Sequence, residues 1–177
     1  MHRQRLLVAL CVGLVAAGLG GLVLNRNAKR TSYCTARIDN EHYRLSVEQA
    51  SNARTIAAVG VESRVPHHAV TVALATALQE SQLRNLVGGD RDSVGLFQQR
   101  PSQGWGSYAQ LHEPRYAAAG FYRALAHVSG WSTMSVTEAA QHVQRSAAPD
   151  AYARWEPEAR TLARILTHEA TGSIVCG

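Results

Sequence analysis

The stretch between residues 67 and 84 constrains the fold of this chain more than any other part of the sequence. Pro66 precedes it, and its residues are mainly Ala, Val, Leu and Thr. Apolar residues fall on one helical face and on most of the others: Val70, Val72, Ala73, Leu74, Ala77, Leu78 and Leu83. Because a helix that is apolar nearly all round must be enclosed by other elements, the sequence predicts a central, buried helix over about 67–84.

Helical patterns also account for most of the remaining chain. Ser46 with Gln49, and Ser135 with Glu138, form the spacing of a capping box, in which two side chains satisfy the first amides of a helix. Proline marks helix starts and glycine marks helix ends. The predicted additional helices cover about 47–63, the stretch from Pro114 to Gly130, the stretch from Ser135 to Pro149, and about 150–169.

A short β structure precedes the helices. The runs "CTARI" and "HYRLS" are β-prone and flank the turn residues Asp-Asn-Glu, which predicts a hairpin over about 34–46. Residues 85–113 are rich in Gly, Asp, Ser and Gln and are predicted to form a loop region. We therefore expect a mainly α fold, of α+β type, with a small N-terminal β-hairpin.

The N-terminal segment is predicted to meet a membrane. Residues 6–24 contain no charge and, as a helix, are about as long as the hydrocarbon core of a bilayer. A cleaved signal peptide is the alternative, but the run is longer than usual for one and no small-x-small cleavage site follows. We expect one transmembrane signal anchor with basic flanks over residues 1–30, followed by an extracytoplasmic domain over 31–177. Secretion after cleavage is the second possibility.

The charge distribution argues against nucleic acid as a partner. Residues 1–30 carry five of the 18 basic residues and no acidic residue, so the other 13 basic residues balance the 13 acidic residues of the rest. A neutral domain lacks the basic surface of a phosphate binder. The sequence does not identify any protein partner.

Two cysteines lie near the two ends of the predicted domain. Cys34 and Cys176 are the even pair that remains once Cys11, inside the apolar run, is set aside. Such a pair fits a disulfide in an oxidising compartment, and two unrelated free thiols are the alternative. A bridge would place residues 31–177 outside the cytoplasm.

One carboxylate stands out at the end of the predicted central helix. Burial disfavours the ionised form of Glu80, and so does the negative end of the helix dipole. A carboxyl group that stays protonated near neutral pH can act as a general acid toward a glycosidic oxygen. Trp105 and Tyr108 follow in the loop and offer flat faces on which sugar rings can pack, although both could equally anchor the loop on the core.

The same residues carry a resemblance. "ALQESQL" followed by "DSVGLFQQ" resembles the lysozyme-like superfamily, close to soluble lytic transglycosylases and goose-type lysozymes. The longer runs "GDRDSVGLFQQRPSQGWG" and "AAQHVQRSAAPDAYARWE" also resemble a group of secreted or membrane-anchored actinobacterial proteins. The resemblance covers roughly residues 66–155, and the familiar Tyr-Asn-Ala-Gly segment of transglycosylases is absent.

The resemblance implies roles for particular residues. Glu80 corresponds to the acid that later acts as the base, and Ser81, Ser93 and Gln98 correspond to residues near the substrate. Gln141, with Gln144, occupies the place of the missing segment and is a candidate contact to the glycan. The implied substrate is peptidoglycan, cleaved at the β-1,4 bond between N-acetylmuramic acid and N-acetylglucosamine without a cofactor.

Two aspartates leave the reaction type open. With Glu80 alone, the 6-hydroxyl of the sugar can attack and give a 1,6-anhydro product, as the resemblance implies. If Asp90 or Asp92 positions a water on the opposite face, the outcome is inverting hydrolysis, which needs carboxyls about 6.5–9.5 Å apart. The alternative is that "GGDRDS" is a charged turn.

Other classes of function fit the sequence less well. The eight histidines show no zinc-binding spacing, and neither nucleotide-binding nor serine-hydrolase motifs occur, so no metal and no cofactor is predicted. A glycan-binding or assembly module of the same fold, without turnover, is the main alternative to an enzyme. A membrane transport component would need more than one apolar segment unless the chain oligomerises.

Overall fold

The computed structural model describes residues 32–146 and 150–177. The predicted membrane anchor over residues 1–30, including Cys11, lies outside the described residues, and so does Pro149. Within the described ranges, no helix is both long and apolar enough to cross a bilayer. The described chain is mainly α with a small β part, which confirms the predicted fold class at that level.

A three-stranded antiparallel sheet forms the β part. β1 covers Tyr33–Ile38 and β2 covers Glu41–Ser46, so the predicted hairpin is confirmed. A third strand, β3, at Ser173–Cys176 pairs with the other edge of β1 and was not predicted. The register sets Cys34 opposite Cys176, and a disulfide joins them across 142 residues of chain.

In the part of the chain that the structure describes, six α-helices pack around one apolar core. Their bounds are α1 at Val47–Glu62, α2 at His67–Ser81, α3 at Tyr108–Leu111, α4 at Pro114–Ala126, α5 at Val136–Gln144 and α6 at Glu156–Leu166. Short 3₁₀ turns occur at Pro101–Gln103, Trp131–Thr133 and Ala153–Trp155. Capping boxes at Ser46 and Ser135 open α1 and α5, as their spacing predicted.

The helix α2 is the central element. All residues from Ala69 to Leu78 are buried, and α2 packs against α1, α4, α5 and α6. The predicted end at 84 was wrong, because Gln82 and Leu83 take left-handed backbone conformations. Their amides donate hydrogen bonds to the carbonyls of Leu78 and Ala77. These bonds pair carbonyl groups of the last helical turn, and the helix ends at Ser81.

The C-terminal helix is also shorter than predicted. The range of about 150–169 was too long, since α6 begins at Glu156 with Pro157 in its first turn. A 3₁₀ turn precedes it because proline lacks the amide that a continuous helix would need at that point. The turn sets Tyr152 outside α6 and against the end of α2.

Candidate active site

Glu80 is the second-to-last residue of α2 and is partly buried. Burial raises the pKa of its carboxyl group, because removal from water penalises the ionised form. The C-terminal end of α2 acts in the same direction, since the carboxyl lies by the negative end of the helix dipole. The Glu80 carboxyl therefore keeps its proton to a higher pH than an exposed glutamate does.

Two side chains hold this carboxyl group. The Tyr152 hydroxyl donates a hydrogen bond to Glu80 Oε1 at 2.9 Å, and the Gln144 amide forms another. Both bonds favour the ionised form and so act against burial, which is the larger effect on the Glu80 pKa. The pKa of Tyr152 is itself raised, first by burial and then by the Glu80 charge, so its hydroxyl stays a donor.

The segment "GLFQ" lies directly beside the end of α2. The Ser81 hydroxyl lies 2.8 Å from the Leu96 carbonyl oxygen, and the Gln144 amide donates to the Phe97 carbonyl at 2.8 Å. Gly95 has a φ of 75°, and a Cβ there would lie 2.5 Å from the Leu111 carbonyl oxygen, so only glycine fits. These contacts fix the loop against the carboxyl-bearing helix end.

Two of the predicted substrate-contacting side chains form hydrogen bonds within the protein, and a third predicted residue is buried. Ser81 is only 3% exposed, and its hydroxyl faces the Ala77 and Leu96 carbonyls, so it positions the loop. The Gln98 amide donates to the Gly95 carbonyl. Ser93 is 6% exposed, and its backbone amide closes a turn onto the Asp90 carbonyl.

The Gln98 side chain lies against one of the two adjacent glycines of the loop. A Cβ on Gly89 would lie 1.7 Å from Gln98 Oε1, so the Gln98 side chain rests directly on the Gly89 backbone. A Cβ on the neighbouring Gly88 would meet nothing within 4 Å. A side chain at position 89 would therefore displace the flexible end of Gln98, whereas a side chain at position 88 would meet no neighbour.

The two aspartates differ from one another. Asp92 accepts hydrogen bonds from the Ser102 amide and hydroxyl and from the Arg100 guanidinium. The Ser102 amide is the largest of these effects, and together they hold the Asp92 pKa well below its usual range. Asp90 is exposed and lies 3.9 Å from Arg91. Asp92 thus braces the loop, and neither carboxylate belongs to the Glu80 hydrogen-bond network.

The two predicted stacking residues lie in different surroundings. Tyr108 is 50% exposed, stacks on His112 and donates from its hydroxyl to the Val87 carbonyl at 2.6 Å. Trp105 is partly buried against the core and lines a groove of about 660 Å³. Trp105 therefore presents part of its ring to a cavity, while Tyr108 ties down the outer loop.

The groove runs between the ends of α4 and α5. Gln144 lines it and also bonds to Glu80, so this residue connects the groove with the carboxyl group. Glu80 itself does not line the groove. Gln141 lines an adjoining hollow and donates to the Ser146 carbonyl.

Sequence reasoning missed the most direct partner of Glu80. Tyr152 lies 72 residues away, near the start of the helical region predicted over about 150–169, so no local signal linked it to Glu80. Its only indication was the run "APDAY", which belongs to the stretch that carries the resemblance. Gln144 was noted as a polar contact but not as a partner of the carboxyl group.

No group of three or more His, Cys, Asp or Glu side chains within residues 32–146 and 150–177 is arranged to hold a metal ion.

A comparison with the models of known protein families finds no match, and a comparison with curated proteins finds none either.

Proposed function

We propose that this chain is a peptidoglycan-cleaving enzyme of lysozyme-like type, in which Glu80 is the general acid. The single observation that carries the proposal is the partly buried Glu80 carboxyl at the end of the central helix. Burial raises its pKa, and Tyr152 and Gln144 fix its position. A positioned carboxyl group that holds its proton near neutral pH is what protonation of a leaving oxygen requires.

The reaction follows from one carboxyl group. Glu80 protonates the oxygen of the β-1,4 bond between N-acetylmuramic acid and N-acetylglucosamine as the bond from that oxygen to the anomeric carbon breaks. The resulting carboxylate then takes a proton from the attacking group. If that group is the 6-hydroxyl of the same sugar, the product is a 1,6-anhydro sugar. If it is water, the product has a reducing end.

The arrangement of the aspartates favours the first outcome. Inverting hydrolysis needs a second carboxylate that positions a water. The Asp92 carboxylate is occupied by Arg100 and Ser102, and Asp90 is exposed in the loop. We therefore propose lytic transglycosylase chemistry.

We further propose that residues 6–24 anchor the chain, so that residues 31–177 act on the wall near the membrane.

Mass spectrometry of products separates these possibilities. The purified full chain is incubated with isolated glycan strands, with Glu80→Gln as the matched variant. Anhydro ends that appear with the wild type and disappear with the variant would support the proposal. Reducing ends would indicate a hydrolase instead.

A binding module without turnover is the second candidate. Glu80 lies beside the groove but does not line it, which favours this reading over an open catalytic cleft. Wild type and Glu80→Gln would then bind strands equally, and neither would release products. That result would refute the enzymatic proposal.

A further inference from the structure

The groove beside Glu80 is basic. Arg145, His142 and His127 line it, together with Trp105 and Gln144. Neither this groove nor the adjoining hollow has an Asp or Glu among its lining residues in the described part of the chain. An anion inside it would therefore meet donors and positive charge, and no carboxylate among the lining residues would compete for them.

Arg145 is the strongest donor in this set. Its side chain is exposed, and no carboxylate lies within ion-pairing distance of it among residues 32–146 and 150–177. An arginine guanidinium pairs with a carboxylate or phosphate through two parallel hydrogen bonds. Arg145 is free to do so.

The two histidines differ in what they can donate. His127 Nδ1 lies 2.7 Å from the Arg123 carbonyl oxygen, which can only accept, so Nδ1 carries the hydrogen. His127 Nε2 is then a donor only when the ring is protonated. His142 faces the Glu138 carboxylate of its own helix, which is also bound at the Ser135 cap. The histidines thus supplement Arg145.

We propose that this groove is a subsite for an oxyanion carried by the glycan strand, with Arg145 as its principal ligand. The position of the groove indicates which oxyanion. Gln144 joins the groove to Glu80, so its occupant is attached close to the bond that Glu80 would cleave. In peptidoglycan, the sugar at that bond bears a peptide stem with free carboxylates.

The inference rests on the proposed function in one respect, because the strand brings the oxyanion to the groove. If the inference holds, the chain binds strands with free carboxylates on the peptide stems more tightly than strands with amidated stems. A phosphodiester of a wall polymer has the same charge and the same acceptors, so the experiment must separate the two sources.

Arg64 offers a matched control for Arg145. Both arginines are exposed, both follow the end of a helix, and both have left-handed backbones, with φ of 55° and 51°. Arg64 likewise lacks an ion pair among the described residues, and it lines neither the groove nor the adjoining hollow. Gln82 and Gln98 adopt the same conformation in this fold, so glutamine is tolerated there.

The test measures equilibrium binding of glycan strands to the full chain in the Glu80→Gln background, where turnover cannot interfere. Strands with free stem carboxylates are compared with the same strands after amidation, and a poly(glycerol phosphate) serves as the third probe. Arg145→Gln should weaken binding of the free-carboxylate strands about tenfold, which corresponds to about 1.4 kcal/mol. It should change binding of amidated strands little, Arg145→Lys should retain part of the affinity, and Arg64→Gln should have no effect.

Two outcomes would overturn the inference. One is an equal response of free and amidated strands to Arg145→Gln, including no response in either. The other is Arg145-dependent binding of the phosphate polymer without any effect of stem amidation. Cleavage by the wild type is measured separately. A wild type that cleaves nothing but keeps Arg145-dependent binding would refute the enzymatic proposal alone.

Discussion

The disulfide between Cys34 and Cys176 should supply a large part of the stability of this domain. It closes a loop with a sequence separation of 142 residues, nearly the whole described chain. The chain-entropy relation gives about 5 kcal/mol for a loop of that length, because the bridge removes conformations from the unfolded chain. Since typical disulfides contribute less than this relation predicts, we expect Cys34→Ala with Cys176→Ala to lower the free energy of unfolding by about 3–5 kcal/mol.

The native strand pairing should survive this change. β3 pairs with β1 over four residue pairs, and the Gly177 amide donates to the Tyr33 carbonyl at 3.1 Å. The loss should therefore arise mainly in the unfolded state, which becomes more expanded without the bridge. An expanded unfolded state exposes more surface, so the urea dependence of the unfolding free energy should steepen.

Urea denaturation followed by circular dichroism checks both expectations. The wild type in strong reductant should approach the double variant, and the variant itself should not respond to reductant. A loss below about 1 kcal/mol would refute the chain-entropy reasoning. A large loss with an unchanged urea dependence would do so as well, because it would locate the effect in the native contacts.

Three further predictions concern the carboxylates. Tyr152→Phe removes a hydrogen bond that favours ionised Glu80 and should therefore raise the Glu80 pKa. The alkaline limb of the pH–activity profile should then move to higher pH. An unchanged alkaline limb would contradict the contact between Tyr152 and Glu80. Burial raises the pKa of Glu80 in the folded protein above its value in the unfolded chain. The contribution of neutral Glu80 to the free energy of unfolding is therefore fully present at low pH and is lost as the pH rises through the folded-state pKa. Glu80→Gln should therefore have a higher thermal midpoint than the wild type at about pH 8 and lose that advantage at about pH 4, as calorimetry would show. Asp92→Asn should lower the thermal midpoint at neutral pH, because Ser102 and Arg100 hold the Asp92 pKa low. This difference in thermal midpoint should vanish on acidification. The rate of cleavage should change only a few-fold. A loss of cleavage of about 100-fold without loss of stability would instead assign Asp92 a role in the chemistry.

The proposed role of Glu80 as a general acid and the stability of the domain impose opposing demands on this residue. An apolar side chain at this helix end would avoid the cost of burying a carboxyl group. The chain instead keeps Glu80 and surrounds it with two hydrogen-bond donors, Tyr152 and Gln144, that limit the cost without removing it. Such an arrangement is consistent with the general-acid role that we propose for Glu80.

Local patterns were sufficient for most of the helices. The capping boxes at Ser46 and Ser135 marked the starts of α1 and α5, because a cap depends on residues three positions apart. The apolar composition of residues 67–78 marked α2 as the buried element. The end of α2 was missed because left-handed backbone at Gln82 and Leu83 is not a property of those residue types.

The sequence by itself determined the helical character of this protein, its central helix and the position of one carboxylate at the end of that helix. Only the tertiary structure brought Tyr152 and Gln144 to that carboxylate and Ser173–Cys176 to the edge of β1. The reason is physical: helix propensity and capping act between residues a turn apart, whereas these contacts join residues separated by 64 to 142 positions. Such contacts form only when the whole core packs.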